Sequence, residues 1–430
     1  MHRLLSKIKK QLYFVVAGYF RFWANVSLRR WKPTIIAVTG SVGKTTMLHL
    51  LELTLGERAH YSHNANSAFG IPFDIVGTHG IYGSKARWFK LFLIVPWRAL
   101  TFTHSQQYYV VEIDGERPNE ATFLANWLRP HITLWVSSAR SHAIFFDRQV
   151  REGRFSTVEE AIAYEFASLA RAARDLVVID GDNEHMVRET ANISAKVAAV
   201  HKSNLTSYTV TPQQAVFTFG ETSFTIPYPM PREISTQLAM LLQLTNYLNV
   251  PLPQHMNDFV MPPSRSSYFA GVGDQGQLHL VDSTYNAHLV SMQSMFTMMQ
   301  DMTVPGEKWL VIGDMTDQGE GERDQHEKLG QAAAQVAADR YVLVGRRTKK
   351  YTLPQLEKAG KGDKTAAFTK TEDALQYICK QAPDQATIML KGSQYLEWIV
   401  EKLLADKANI TKLARQDAAA KRRRAKWGLY

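Results

Sequence analysis

The chain has 430 residues, of which 45% are apolar and 21% charged. That is a globular composition too long for one ordinary core, so two or three domains are expected and a disordered chain is excluded. A single cysteine, Cys379, rules out an internal disulfide and a four-thiolate metal site, which is compatible with a reducing cytoplasm. The net charge of +10 sits at the ends: residues 1–32 carry eight Lys/Arg and no acid, and residues 406–430 carry eight against Asp406 and Asp417, leaving the body at net −4.

Residues 1–33 form a basic amphipathic segment rich in large apolar side chains, among them Leu4, Leu5, Leu12, Tyr13, Phe14, Val15, Tyr19, Phe20, Phe22 and Trp23. Its apolar run breaks at Arg21, short of the roughly 18 to 20 residues that span a bilayer. The segment reads either as an interfacial helix or as a helix packed on the protein's own core. No small-residue cleavage site follows, which argues against a cleaved leader. Basic ends of this kind are drawn to an anionic membrane surface by about 1 kcal/mol per residue held near it. The expected location is therefore cytoplasmic, with residues 1–32 and 406–430 suited to the inner face of a membrane. The run Lys421-Arg422-Arg423-Arg424 comes with no nucleic-acid recognition module, so no nucleic-acid partner is expected.

The body alternates apolar runs with helical stretches, the pattern of a parallel sheet covered by helices. Strands are expected at Thr34 to Val38, Tyr108 to Ile113, Ile132 to Val136 and Leu176 to Ile179. Ser207 to Ile226 alternates apolar and polar residues and predicts a small antiparallel meander. A helix over Ser235 to Tyr247 leads to a proline-rich joint that ends at Pro262-Pro263. A second α/β series follows, with strands at Gln277 to Val281, Trp309 to Ile312, Tyr341 to Val344 and Thr387 to Leu390. The domain boundary is placed near Pro262, giving domains at 34–262 and 263–405 and a basic tail at 406–430.

Between the first strand and a helix from about Lys44 to Leu55 lies Gly40-Ser41-Val42-Gly43-Lys44-Thr45-Thr46. In that setting backbone N–H groups and the helix N-terminus cradle phosphates, the lysine reaches the β and γ oxygens, and the Thr45 hydroxyl can ligate Mg2+. ATP with Mg2+ is the expected cofactor. The usual first glycine of such loops would fall at Val38, so only a shorter form of the pattern is matched. A bare strand-to-helix turn would not require Lys-Thr-Thr after its glycines.

The shorter loop resembles that of the Mur ligase family, the ATP-dependent amide ligases of peptidoglycan precursor synthesis. Further segments match in order: Asn64 to Pro72, Val111-Glu112-Ile113, Arg129-Pro130-His131-Ile132, Ser141 to Phe146, Val281-Asp282-Ser283-Thr284-Tyr285-Asn286-Ala287, Ile312-Gly313-Asp314-Met315 with His326, and Lys391-Gly392-Ser393. The likeness spans roughly residues 34 to 403. It implies an α/β fold: a P-loop-type parallel-sheet ATPase domain followed by a smaller Rossmann-like C-terminal ligase domain. It also implies that ATP phosphorylates a substrate carboxylate to an acyl phosphate, which an amine then attacks. The substrate would be of the muramoyl-peptide type and the amine an amino acid or a dipeptide such as D-Ala-D-Ala. Carried over by residue, Lys44 would neutralise the γ-phosphoryl group, and Thr45 and Glu112 would hold one Mg2+. His142 would serve a second metal, Asn286 would meet the adenine with Arg265 and Asp282 nearby, and Asn66, His326 and Lys391 would face the substrate.

Three departures bear on that expectation. Related ligases place a carbamylated lysine on a helix shortly after the His142 segment, but no lysine lies between Arg151 and Ala195; Glu165 or Glu160 is the candidate to supply its negative charge. Only 39 residues precede Gly40, so the uridine half of a substrate would be held in another way, or the acceptor differs and is lipid-linked. Asn119 stands where the family's glycine follows Arg117-Pro118, and Arg232 to Gln237 lacks the family's His and Asn. Two further readings stay open: a ligase of the same fold with another acceptor, and a nucleotide-binding pseudo-ligase attached to the membrane as a partner of other proteins.

Overall fold

The structure is a computed structural model that describes all residues except 1, 64, 81–84, 116, 254, 274–276, 394, 427 and 430, with the side chains of 2–12 and 85–87 also left aside. Asn64, the first residue of one matched segment, therefore lies outside the described residues, as do the side chains of Leu4, Leu5 and Leu12. The chain forms two compact units, each built from segments distant in sequence. One comprises residues 1–139, 148–201 and 236–253, and the other 140–147, 202–235 and 254–430.

The first unit holds a six-stranded parallel sheet of β1 (Thr34–Thr39), β2 (Ala59–Tyr61), β3 (Tyr108–Ile113), β4 (Ile132–Trp135), β5 (Leu176–Asp180) and β6 (Lys196–Val200). Their order is β2-β3-β1-β4-β5-β6. Every residue of β3 is buried, and β1 is buried from Ile35 on. Continuous apolar runs of this kind belong to strands covered on both faces. The register Val38↔Glu112 and Thr39↔Ile113 sets the ends of β1 and β3 side by side.

Helices α1 (His2–Trp31), α2 (Lys44–Leu55), α3 (Gly70–Ile75), α4 (Lys85–Thr101) and α5 (Glu120–Leu128) belong to this unit. Helix α1 packs on the protein's own core: Phe20, Ala24 and Leu28 join Ile35, Phe73, Leu91, Val95, Val111 and Leu124 in one cluster. The Arg21 guanidinium lies 4.4 Å from the centre of the Phe123 ring. An opposite face of α1 stays exposed at Val15 and Phe22.

In the second unit β10 (Ser267–Val272) pairs antiparallel with β11 (Leu278–Asp282), and the remaining strands are parallel. These are β12 (Lys308–Gly313), β13 (Arg340–Val344), β14 (Thr365–Phe368) and β15 (Thr387–Lys391), in the order β10-β11-β15-β12-β13-β14. The expected meander is present as β7 (Ser207–Val210), β8 (Ala215–Phe219) and β9 (Thr222–Ile226), and it groups with this unit. The described residues of 406–429 are folded rather than a free tail. Leu413, Ala414 and Leu429 are buried, Arg424 is buried and bonds the Glu401 carboxylate at 2.8 Å, and Arg415 reaches the fully enclosed Glu397 at 3.3 Å. Lys421, Arg422 and Arg423 remain exposed.

Candidate functional site

In the first unit the Gly40–Thr46 loop leaves β1 at Gly40, whose φ of 137° and close approach to Ser137 exclude a side chain; a Cβ there would stand 2.7 Å from the Ser137 carbonyl oxygen. Gly43, at φ 88°, turns the chain into α2, and a Cβ on it would collide with the side chain of Gln237. The loop is braced by residues 137–139. The Val42 amide donates to Ser137 Oγ at 2.8 Å, and Ser41 Oγ donates to the Ala139 carbonyl at 2.6 Å. This is a pre-shaped backbone cradle above a helix N-terminus, the geometry that binds anions.

Three groups converge on that cradle. Lys44 Nζ donates to the Gly40 carbonyl at 2.6 Å and pairs with Asp114 Oδ1 at 2.9 Å. Thr45 Oγ1 donates to Glu112 Oε1 at 3.4 Å. Asn66 Nδ2 donates to the other oxygen of Asp114. Glu112 is itself buried, and its amide is fixed by Ser62 Oγ at 2.9 Å. Asp114 is the residue that sequence reasoning missed. Its signal was the spacing from Glu112: two residues apart at a strand end place both carboxylates on one side of the sheet.

Among the described residues no group of three or more His, Cys, Asp or Glu is placed to hold a metal unaided. Mg2+ does not need one, because it commonly takes one or two carboxylates with phosphate and water oxygens. The hard oxygen donors Thr45, Glu112 and Asp114 beside a glycine cradle fit such an ion.

Glu165 and Glu160 have local occupations. Both Glu165 oxygens accept backbone amides at the start of α5, from Asn119 at 2.9 Å and Ala121 at 2.8 Å. Burial pushes the Glu165 carboxyl up, and these amide bonds pull the other way. Glu160 accepts from the Ser156 amide at 2.9 Å. Asn119 adopts φ 71°, a left-handed conformation that asparagine tolerates better than most side chains, so it can stand where a glycine would. His131 is structural, since its Nδ1 accepts from the Ile35 amide at 3.0 Å.

The second unit gathers Asp282, Lys391 and Asp314 at the C-terminal ends of the adjacent strands β11, β15 and β12, where Asp282 stands opposite Leu390 and Ile312 opposite Lys391. Asp282 is fully enclosed and accepts from Ser264 Oγ at 2.6 Å and from Thr284 Oγ1 at 2.7 Å. Burial raises its carboxyl against those bonds. Lys391 is buried with Nζ donating to Ser283 Oγ and to the Asn286 carbonyl, each at 3.2 Å. Burial and then the nearby Arg265 bring the Lys391 ammonium down to about 7, with Asp282 opposing. The Arg265 guanidinium lies 4.4 Å from the centre of the Tyr285 ring, and Asn286 is exposed beside it.

His142 groups with this unit, its ring edge-on to His288 at 5.8 Å. His326 is fully enclosed. Its Nε2 accepts from the Met315 amide at 3.0 Å and its Nδ1 donates to the Glu322 carbonyl at 2.7 Å, which leaves neither nitrogen for a substrate. Burial lowers its basicity accordingly.

Residues 269–394 match the Mur ligase glutamate ligase domain. That match lies within the second unit, and the chain as a whole is α/β. The chain is also similar to two UDP-N-acetylmuramoyl-tripeptide–D-alanyl-D-alanine ligases. That of Buchnera aphidicola is 22% identical over 411 residues, covering 91% of this chain and 80% of that protein. That of Escherichia coli strain K12 is 24% identical over 377 residues, covering 84% and 74%. The crystal structure of MurF ligase from Thermotoga maritima in complex with ADP shares the fold, with a TM-score of 0.70 at 17% identity over 95% of this chain and 84% of that one. In sequence and fold the chain is similar to these MurF-type ligases.

Proposed function

We propose that the chain is an ATP-dependent peptide ligase of peptidoglycan precursor synthesis. It would bind Mg-ATP in the Gly40–Thr46 cradle and join a muramoyl-peptide carboxylate to an amine such as D-Ala-D-Ala. The observation that carries this reading is the convergence of Lys44, Thr45, Glu112 and Asp114 on a glycine cradle at the ends of β1 and β3. A cation and oxygen ligands are what phosphoryl transfer needs, since its catalysis is mainly positioning and neutralisation of charge.

Thr45 and Glu112 would hold Mg2+, which would draw charge from the phosphate oxygens. Lys44 would leave Asp114 for the γ-phosphoryl oxygens. The loop amides would orient the phosphate chain, and the carboxylate would be activated as an acyl phosphate that the amine opens, releasing phosphate. His142 is proposed for a second metal, Arg265, Asp282 and Asn286 for the nucleotide, and Asn66, His326 and Lys391 for the substrate side. Of these, His326 has the least support, because both its ring nitrogens are engaged. The domain limits 34–262 and 263–405 are proposed with these roles, and the basic residues of 1–32 and 406–430 are proposed to favour the inner face of a membrane.

One observation favours a second reading, a ligase with another acceptor or a nucleotide-binding pseudo-ligase. No lysine lies between Arg151 and Ala195, and Glu165 already spends both oxygens on backbone amides. The test is an assay of purified protein with Mg-ATP, UDP-muramoyl-tripeptide and D-Ala-D-Ala for ADP and for the pentapeptide product. Both products support the first reading. ADP without pentapeptide points to another acceptor, and binding without turnover for any acceptor points to the pseudo-ligase.

A further inference from the structure

Helix α4 is apolar on two opposite sides. Leu91, Val95 and Ala99 face the core of the first unit, while Phe89, Leu93, Trp97 and Leu100 are 74%, 78%, 62% and 59% exposed. The exposed four recur at intervals of four, four and three residues, which sets them in one stripe along the helix. Exposed apolar side chains scattered singly are ordinary, but a continuous stripe marks a surface that something covers. Helix α1 extends it: Val15, Tyr19 and Phe22 lie on one face of that helix and are also exposed, and the Tyr19 and Phe92 rings stand 5.1 Å apart.

The carbonyls that α4 leaves open are satisfied by side chains of α1. Pro96 cannot donate to the Phe92 carbonyl one turn back, and the Tyr19 hydroxyl donates to that carbonyl instead, at 2.8 Å. At the end of the helix, Arg30 Nη1 donates to the Ala99 and Leu100 carbonyls at 2.9 and 2.7 Å, and the Phe102 amide donates to the Arg98 carbonyl at 2.8 Å. Terminal carbonyls of a helix can be satisfied by side chains, by a tightened last turn or by water, and here the protein supplies the partners itself. Supplying them from the protein matters where water is scarce, because an unsatisfied carbonyl in a lipid environment costs several kcal/mol.

The charge around the stripe has one sign. Helix α1 has no acid, and there is none between Asp74 and Glu112, whereas α4 contributes Lys85, Arg87, Lys90 and Arg98. Lys90, Arg29 and Arg30 are exposed. Among the described residues no helix is long and apolar enough to cross a membrane.

We propose that the outer faces of α4 and α1 form an interfacial docking surface for a bilayer bearing anionic lipid, with Phe89, Leu93, Trp97 and Leu100 seated at the headgroup boundary. Lys90 and Arg29 face the lipid phosphates. The proposal rests on the peripheral-membrane part of the proposed function, extends the apolar contact from α1 to α4, and is independent of the ligase reaction.

The experiment is co-sedimentation of the full chain with vesicles of phosphatidylcholine alone and with phosphatidylglycerol added, at low and high salt. It compares wild type, the triple variant Phe89→Ser, Leu93→Ser, Trp97→Ser, and a variant with Lys421, Arg422 and Arg423 changed to Gln. The changed side chains are exposed, so circular dichroism and Tm should match the wild type. Wild type is expected to bind the phosphatidylglycerol vesicles in a salt-sensitive way, and the triple variant at least about tenfold more weakly. Undiminished binding by the triple variant with loss in the Gln variant would overturn this surface while leaving a basic-tail attachment standing. No binding by wild type would remove both. A lipid-free wild-type dimer that the triple variant dissolves would make the occupant a second copy of the chain and overturn the proposal.

Discussion

Lys44 Nζ stands 2.9 Å from Asp114 Oδ1 while it donates to the Gly40 carbonyl, so the cation of the Gly40–Thr46 loop is already engaged at both sides of the cradle. A phosphate group entering the loop competes with a carboxylate for that ammonium. Lys44→Met is expected to weaken ATP binding by about tenfold to a hundredfold, the size of one or two charge-assisted bonds. Asp114→Asn removes the competing charge and should tighten metal-free ADP binding. Titration calorimetry of both variants checks this, and unchanged ATP affinity in Lys44→Met would remove the lysine from the site.

Gly40 tests the cradle itself. Gly40→Ala forces a side chain into a left-handed φ against the Ser137 backbone, so a loss of about 1 to 3 kcal/mol of stability is expected, with nucleotide binding weakened as the loop shifts. Gly153, also at positive φ but with open space around it, is the control: Gly153→Ala should cost less. Urea unfolding of the two variants makes the comparison.

Glu165→Ala should strip two acceptors from the first amides of α5 and cost about 1 to 3 kcal/mol, read as a lowered Tm. Glu165→Gln keeps one acceptor and should lose less. If the double variant with Glu160→Ala and Glu165→Ala keeps full ADP release at a temperature where it is folded, neither carboxylate takes the place of the lysine proposed from the resemblance.

Lys391 gives a pH signature. Its ammonium is brought down to about 7 in the folded protein against 10.5 otherwise, so between those values the unfolded chain binds more protons. Stability from this group therefore rises with pH across that window by up to about 1.4 kcal/mol per pH unit, and the cost of burying the charge is full below pH 7. Lys391→Met removes the titration, so the difference in unfolding free energy between variant and wild type should shift in favour of wild type as pH rises from 7 to 9. A difference that stays flat with pH would contradict the low basicity.

Much of the fold was readable because buried parallel strands announce themselves. Tyr108 to Ile113 was expected as a strand and is one, and the loop from Gly40 joins a strand and a helix as its residues imply. What escaped lies at edges and surfaces. Strand β6 is mostly exposed, and β14 reads Thr-Ala-Ala-Phe, so neither has the apolar run that marks a central strand. Helix α4 carries Pro96 and is apolar on both sides, which blurs the one-faced periodicity that identifies a surface helix. The enclosure of His326 and the folding back of Arg424 onto Glu401 depend on contacts between elements, which spacing along the chain does not encode.

Strand β15 is the last strand to be made, yet it lies between β11 and β12. A ribosome that has released residues up to 386 has therefore delivered a second sheet split down its middle, with two open edges, while all six strands of the first sheet are complete by residue 200. Vectorial synthesis would thus yield a first unit able to settle early and a second that closes only near the end of translation. A stop codon or protease cut just before Thr387 should leave a half-folded protein prone to pairing with its neighbours, not a shortened functional one.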